Sequence, residues 1–456
     1  MLKLRNAVSH SKFTRLQTVA TLALFSLCSM QGCSVSPQPS PEPQGAHHSA
    51  NGGTEPSPTS DATASRSAPT PQRHGTDDHG VTVHDAHGTS ISFPIVDLSS
   101  ASPITLPEIV KLGRAPAGNP DRIVLALASN AALVSFDPSE NRDSEEIVKS
   151  GRVGLLYDNQ SSKLFDSTAH IRSDGLARQT YAGDIDDNWA VWMETSSTDL
   201  SQSNWRLFSQ RLSGGTPRLI AAAEDQLSSG ASEVPLLGGD PVPKLSAGLV
   251  WWWTATQQQD GTFGVRVLAA DPAGGEPKEM LASGYYVSAI DDGVVAVQLE
   301  HNTPDSHNDT KYQEVGVVRI DTSGLVTNVI RYSAANAEDD EGVGVSELAS
   351  GGDVVAALIQ DDIIIVRANG APIARIPLPV NTEVGELAVC SGKVAFTPTS
   401  VGSEGDKVFI FDTATSTLSS MKAPHAYSSV MCSDTRLAWG QLEEPNYITT
   451  HVSKWE

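Results

Sequence analysis

The chain has little positive charge. Its 456 residues include 31 lysine and arginine residues against 54 aspartate and glutamate residues, which gives a formal net charge of −23. A protein this acidic repels nucleic acid and anionic lipid headgroups, and the sequence contains no basic stripe that would offset the repulsion. We therefore exclude nucleic acid as a partner.

The sequence also lacks the short motifs that carry common catalytic chemistry. It has no Gly-x-Ser-x-Gly elbow, no Gly-Lys-Ser/Thr phosphate loop, no His-Glu-x-x-His and no Cys-x-x-Cys. Carboxylate pairs are abundant, but so acidic a chain supplies them by chance. We expect a protein that is not an enzyme, and an enzyme whose site is assembled from separated loops stays open as the alternative.

The apolar run at the N terminus is too short to cross a bilayer. Residues Thr18–Met30 follow a segment with four basic residues and no acidic ones, which predicts an export signal over residues 1–32. The sequence MQGC at residues 30–33 resembles the lipobox of bacterial lipoproteins, with Gln31 in place of the usual small or aliphatic residue. The resemblance implies that Cys33 becomes the acylated first residue of the mature protein. The alternative is an ordinary secretory signal.

The segment after the signal is rich in proline, serine and histidine. Residues 33–88 contain eight of the 27 prolines and no periodic apolar face, so we predict a flexible linker. Its role would be to hold a folded domain away from the bilayer. On the lipoprotein interpretation the protein is exported and anchored by acyl chains alone, facing the periplasm or the cell exterior.

Histidines are concentrated in this linker. Four of them, His74, His79, His84 and His87, alternate with aspartates, and imidazole and carboxylate are ligands for zinc, copper or nickel. Their spacing matches no defined metal site, so we favour a solvated polar tract. A divalent metal is the alternative, and no other cofactor is expected.

A repeated hairpin pattern organises the rest of the chain. An apolar strand, a short turn of Asp, Gly, Ser or Asn, and a second apolar strand recur at intervals of about 40–60 residues. The six copies are Asp184–Glu194, Lys244–Thr254, Ser288–Gln298, Glu347–Ile359, Leu387–Thr397 and Ser429–Gly440. This period is typical of propeller blades. Residues 89–456 are therefore predicted to form a single all-β domain, a β-propeller of seven blades, with six or eight blades as alternatives.

The last copy is followed by only one further strand, Tyr447–Ser453. A four-stranded blade then needs one strand from the N-terminal side of the domain. Thr89–Leu98 is the simplest candidate, because it is an apolar run of strand type and would hide both edges of the ring.

Two recurrent residue types have structural explanations. Aspartates that end a strand and open a turn, as Asp271, Asp321 and Asp412 do, are predicted to accept the N–H groups of their own turn. The adjacent Trp251 and Trp252 point to opposite faces of one strand and are predicted to pack between blades.

Cysteine is scarce, with four residues in the chain. Cys28 and Cys33 belong to the signal, which leaves Cys390 and Cys432 in the same register of successive repeats, AVCSG and VMCSD. An exported protein meets oxidising conditions. We predict a disulfide between these two residues, and the alternative is two small buried side chains beyond bridging distance.

The repeats also resemble a known family. The sequences DNWAVWMETSS…NWRLFSQRLSGGTPRLI and GKVAFTP…GDKVFIFDTATSTL are similar to the Tol-type (TolB-like) propeller repeat. The resemblance implies a closed β-ring used mainly as a binding platform, and it brings no matched catalytic residue.

Three classes of function follow. The leading hypothesis is a lipid-anchored propeller that binds or scaffolds another envelope protein or a peptide. A glycan-binding or glycan-cleaving propeller is the alternative, and it predicts a pocket lined by acidic pairs and exposed aromatic rings. A surface metal-handling protein that uses the histidine tract is the third.

Overall fold

The computed structural model describes residues 81–112, 121–137, 152–158, 161–176, 178–196, 204–226, 241–257, 263–301, 312–334, 343–379, 382–400, 405–443 and 447–455. Strands dominate this part of the chain, and we number them β1 to β29 in chain order. The helical content of the described residues is two short 3-10 helices, Leu98–Ser100 and Ala223–Gln226. No helix there is long and apolar enough to cross a membrane.

Four sheets each contain four consecutive antiparallel strands. The first is β4 (Asp121–Leu127), β5 (Ala131–Asp137), β6 (Arg152–Tyr157) and β7 (Ser162–Leu164). The second is β8 (Gln179–Ile185), β9 (Trp189–Thr195), β10 (Trp205–Arg211) and β11 (Arg218–Ala222). The third is β12 (Lys244–Ser246), β13 (Leu249–Gln257), β14 (Phe263–Ala270) and β15 (Lys278–Leu281). The fourth is β20 (Val345–Gly351), β21 (Val354–Ile359), β22 (Asp362–Arg367) and β23 (Pro372–Pro377).

Two larger sheets extend the same plan. One contains β16 (Gly284–Ile290), β17 (Gly293–His301), β18 (Tyr312–Asp321) and β19 (Val326–Ala334), with β1 (Val81–His84) added outside β19. The other contains β24 (Thr382–Cys390), β25 (Lys393–Ser400), β26 (Gly405–Asp412), β27 (Thr417–Ser433), β28 (Arg436–Glu443), β29 (Tyr447–Lys454), β2 (Ser102–Ile104) and β3 (Glu108–Leu112). The 17-residue β27 serves two meanders, because its first half pairs with β26 and its second half with β28.

The first strands of successive meanders close a ring. β4 contacts β8, β8 contacts β12, and the contacts continue through β16, β20 and β24 to β27, which contacts β4. The protein is therefore a β-propeller, and the all-β prediction is confirmed. The described strands form seven four-stranded units, numbered 1 to 7 from β4, and seven blades stays our interpretation of the whole ring.

Burial on both faces explains the apolar runs in the repeats. A unit packed between two neighbours buries both faces of its middle strands, so β21 reads VVAALI and every residue in it is buried. Trp251 and Trp252 are fully buried on opposite faces of β13. Trp251 packs in a cluster with unit 4, and Trp252 packs in a cluster with unit 2. The predicted packing of these tryptophans between blades is confirmed.

Residues 81–112, which we name the rim strap, run along the outside of four units. β1 pairs with β19 of unit 4, and Pro94 and Val96 exchange backbone hydrogen bonds with Arg375 of unit 5. β2 then pairs in parallel with β27 at unit 6, and β3 pairs with β29 of unit 7. Because β1 holds the buried Val81 and Val83, the ordered domain includes residues 81–88, which the sequence analysis assigned to the linker.

The strand that completes the last unit differs from the one predicted. Glu108–Leu112 pairs with β29, so the prediction that Thr89–Leu98 closes the ring is wrong. Thr89–Leu98 crosses the rim instead, where Ile95 is 56% exposed. In β3, by contrast, Leu112 is 2% exposed and packs with Val124 of unit 1, so this strand joins the two ends of the ring.

The two edges of the ring are distinct. In each unit the first and third strands begin at the same edge of the ring, which we call the loop edge. The opposite edge is called the turn edge. At the turn edge Cys390 and Cys432 form a disulfide with a Cα–Cα distance of 6.0 Å, joining the first strands of units 6 and 7.

The strand-ending aspartates also lie at the turn edge. The carboxylate Oδ1 of Asp271 accepts the Ala273 N–H at 2.7 Å, and that of Asp321 accepts the Ser323 N–H at 2.8 Å. Asp412 Oδ1 accepts the Ala414 N–H at 2.9 Å. Their predicted role in shaping turns is confirmed.

Candidate functional site

A cavity of about 300 Å³ opens at the loop edge between units 1 and 2. Its walls come from the start of β6, the connection between β7 and β8, the end of β9 and the start of β10. Antiparallel pairing brings these strand ends to one edge, although they are far apart in sequence. Trp192 and Phe208 form its floor, with ring centroids 6.0 Å apart, and Phe165 stacks on Trp192 at 5.6 Å.

Glu194 is the most deeply placed acidic group in the wall. It lies near the end of β9 and is 7% exposed. Its carboxylate accepts a hydrogen bond from Trp192 Nε1 at 2.9 Å and from the Thr168 hydroxyl at 2.8 and 3.0 Å. Burial raises the pKa of Glu194, and these two hydrogen bonds only partly oppose that effect.

Two buried arginines line the same wall. The side chains of Arg178 and Arg206 are 9% and 6% exposed. Both donate to Asp174 Oδ2, at 2.6 Å from Arg178 and 3.0 Å from Arg206, and Arg206 also lies 3.4 Å from Glu224 Oε1. Burial acts to raise the pKa of Asp174, but the Leu176 N–H and the Arg178 guanidinium outweigh it, so that pKa is lowered.

The connection between β7 and β8 forms the mouth of the cavity. Arg172 fixes it to unit 2 through Asp225 at 2.8 Å, and Gly175 turns the chain at a φ of +76°. Leu176 follows and is 56% exposed, so an apolar side chain stands at the rim of a polar cavity. Such a combination suits a ligand with both polar and apolar groups.

A second cavity, of about 310 Å³, lies between the rim strap and unit 4. Its partly buried acidic group, Glu314, accepts hydrogen bonds from the hydroxyls of Tyr285 and Tyr332 and, at 2.7 Å, from the N–H of Val345. Burial raises the pKa of Glu314. Because Val345 belongs to unit 5, this fully used carboxylate is a link between units.

The residues singled out from the sequence lie elsewhere. Cys33, His74 and His79 are outside the described residues. His84 is in β1, where its ring nitrogens lie 3.3 Å from Ser333 Oγ and 3.4 Å from Ser90 Oγ, and His87 is exposed in the following turn. Within the described residues no three His, Cys, Asp or Glu side chains are grouped so as to hold a metal ion.

The residues that line the cavity are not predictable from the repeat pattern. One signal was present, since Glu194 and Arg206 are charged residues inside the aromatic-rich strands WAVWMET and WRLFSQR, which are almost entirely buried. A charge in a strand buried on both faces needs a partner or a cavity. The contribution of Thr168 and Asp174 had no such signal, because they come from an irregular connection.

Known proteins resemble the chain in structure rather than in sequence. No model of a protein family and no curated protein matches the chain in sequence. One similar solved structure is the WD40 domain of Neurospora crassa Pan2, with 9% identity, a TM-score of 0.45, and coverage of 77% of this chain and 97% of that chain. Another is an oligogalacturonate lyase from Vibrio parahaemolyticus, with 12% identity, a TM-score of 0.44 and coverage of 77% and 97%. A third is a puromycin hydrolase, with 12% identity, a TM-score of 0.45 and coverage of 77% and 55%.

Proposed function

We propose that the protein is an exported, lipid-anchored β-propeller with Tol-type repeats that binds another envelope protein or a peptide. The observation that carries the proposal is the polar cavity at the loop edge between units 1 and 2. Its volume of about 300 Å³ suits one or two side chains of a partner. Leu176, exposed at the mouth, offers an apolar contact beside it.

The cavity favours binding over catalysis. Both arginines are used in ion pairs with Asp174, and Glu194 is held by Trp192 and Thr168. No histidine is among the described residues that line the cavity. The side chains are therefore arranged to fix one another, as a recognition surface requires.

The arrangement also favours a peptide over a glycan. A sugar-binding pocket needs an aromatic face open to the ligand, whereas Trp192 and Phe208 are each 1% exposed and lie beneath the polar wall. The acidic groups expected of a glycan pocket are present, but the exposed rings are not found among the described lining residues.

Lipid anchoring is tested by labelling cells with a palmitate analogue. Wild-type protein should take up the label and fractionate with membranes, and Cys33→Ser should do neither. Label that persists in Cys33→Ser, or unlabelled wild type in the medium, would remove the anchor from the proposal.

Partner binding is tested by purifying the full-length protein from detergent-solubilised membranes. We expect a partner in stoichiometric amount, lost when Ser173→Trp fills the mouth of the cavity. Leu325→Trp is the matched control, because Leu325 is 61% exposed at the turn edge of unit 4. Absence of a stoichiometric partner, or equal recovery with both variants, would contradict the proposal.

A further inference from the structure

We propose that the cavity between units 1 and 2 binds a primary ammonium group of a peptide, carried by a lysine side chain or by an amino terminus, with Glu194 as its counter-ion. This inference rests on the binding function proposed above and names the chemical group that the cavity recognises.

The two buried cations of the cavity are already paired with an acidic residue. Arg178 donates to Asp174 at 2.6 Å and to the Asn204 carbonyl at 2.7 Å. Arg206 donates to Asp174 at 3.0 Å and to the Ile171 carbonyl at 3.2 Å. The Nε atoms of both guanidinium groups have no hydrogen-bond partner, but they are buried and so are not presented to an incoming anion.

Glu194, in contrast to the two arginines, has no ion-pair partner among the described residues. Its hydrogen-bond donors, the Trp192 indole and the Thr168 hydroxyl, are both neutral. No described basic side chain lies within ion-pair distance of its carboxylate, although the residue is 7% exposed. A buried carboxylate without a direct ion pair is unfavourable, and a ligand that supplies the cation at contact distance reduces that penalty.

Titration behaviour agrees with this geometry. Burial raises the pKa of Glu194, and the charges of Arg178 and Arg206 only partly oppose that effect, because both arginines also pair with Asp174. A bound ammonium would restore an ordinary ionisation to this carboxyl.

The charge of the ligand also fits the whole protein. The chain carries a formal net charge of −23, so cationic ligands are attracted toward it and anionic ones repelled. At the mouth, Arg152 and Asp166 carry opposite charges and leave this attraction unchanged.

The experiment uses full-length protein and three short synthetic peptides with amidated C termini. The first has an acetylated N terminus and one lysine, the second a free N terminus and norleucine instead of lysine, and the third is acetylated and contains norleucine, so it has no ammonium. Binding is measured by titration calorimetry and by saturation-transfer NMR. We expect the first or the second peptide to bind at least tenfold more tightly than the third, and the difference between the first two identifies the source of the ammonium.

Glu194→Gln should weaken binding of the ammonium-containing peptide at least tenfold, because it keeps the shape and hydrogen bonds of the side chain but not its charge. Glu300→Gln is the matched control, since it removes one carboxylate that is 60% exposed at the loop edge of unit 4 and should leave binding unchanged. Ser173→Trp leaves Glu194 in place but fills the mouth of the cavity, so it should abolish peptide binding. This variant provides the test if Glu194→Gln does not fold. Equal binding of the third peptide, binding unaffected by Glu194→Gln, or no binding of any peptide would each overturn the inference. A partner that is lost with Ser173→Trp but retained with Glu194→Gln would leave the proposed function intact.

Discussion

Removing the Cys390–Cys432 disulfide tests how the inner ring is held together. The bridge joins the first strands of units 6 and 7 at the turn edge, where the two cysteines pack at the border of an apolar cluster with Val430 and Leu437. The double variant Cys390→Ala/Cys432→Ala keeps small side chains at both positions. Its main effect should therefore be to release the constraint on the unfolded chain.

The magnitude follows from the length of the closed loop. With a sequence separation of 42 residues, the chain-entropy relation gives about 4 kcal/mol of stabilisation at 25 °C. At an m-value of about 3 kcal/mol/M, this loss lowers the urea midpoint by about 1.3 M. The native ring should keep its far-UV circular dichroism, because the bridge links strands that their sheets already hold in place.

The assay is urea unfolding of wild type and variant, each with and without dithiothreitol. Dithiothreitol should lower the urea midpoint of the wild type toward that of the variant, and it should leave the midpoint of the variant unchanged. A wild type that unfolds at the same urea concentration as the variant would refute the reasoning. So would two free thiols detected in the wild type by alkylation and mass spectrometry without reductant.

Three further substitutions test contacts between units, each by urea unfolding. Gly351→Ala places a Cβ against the Val389 carbonyl of the neighbouring first strand and should cost about 1–3 kcal/mol, and an unchanged midpoint would contradict this packing. Trp251→Ala should lower the free energy of unfolding by about 3–5 kcal/mol. A loss no larger than that of a substitution at an exposed site would contradict the packing of Trp251 between units 3 and 4. Glu314→Leu leaves two tyrosine hydroxyls and an amide without an acceptor and should cost about 3 kcal/mol, against no effect for the exposed Glu300→Leu. Because burial raises the pKa of Glu314 above 4.5, this carboxyl favours folding below about pH 4.5 and loses that contribution as the pH rises through the raised pKa; Glu314→Gln should lack this part of the pH profile.

The hairpin pattern predicted the inner part of each unit well. The second strand of each hairpin is a middle strand of its unit and is buried on both faces, as VVAALI is in β21, so its apolar signal is local and continuous. Equivalent positions in successive repeats lie side by side in the ring, which is why the register of Cys390 and Cys432 pointed to a contact that the structure contains.

The rim strap shows what the pattern could not predict. Thr89–Leu98 has the stronger apolar run, but Glu108–Leu112 closes the ring, since closure depends on which strand reaches β29 with Leu112 facing the core. β1 is only four residues long, and it lies next to the histidine tract. Its pairing with β19 is a long-range contact that no local sequence signal announces.

The cavity was beyond prediction for a related reason. Glu194 and Arg206 stand in recognisable strands, but Thr168 and Asp174 come from a connection without repeat character. Only the antiparallel ends of β9 and β10, folded against that connection, bring these groups to one wall.

The most direct test of the account is photo-crosslinking in intact cells. A photoreactive amino acid at Leu176, at the mouth of the cavity, is compared with the same residue at Leu325, which is equally apolar and exposed at the turn edge. We expect one discrete adduct with an envelope protein or peptide from position 176 and none from position 325. The adduct from position 176 should disappear when Glu194→Gln is added. Equal adducts from both positions, or none from position 176, would contradict a binding site at the loop edge between units 1 and 2.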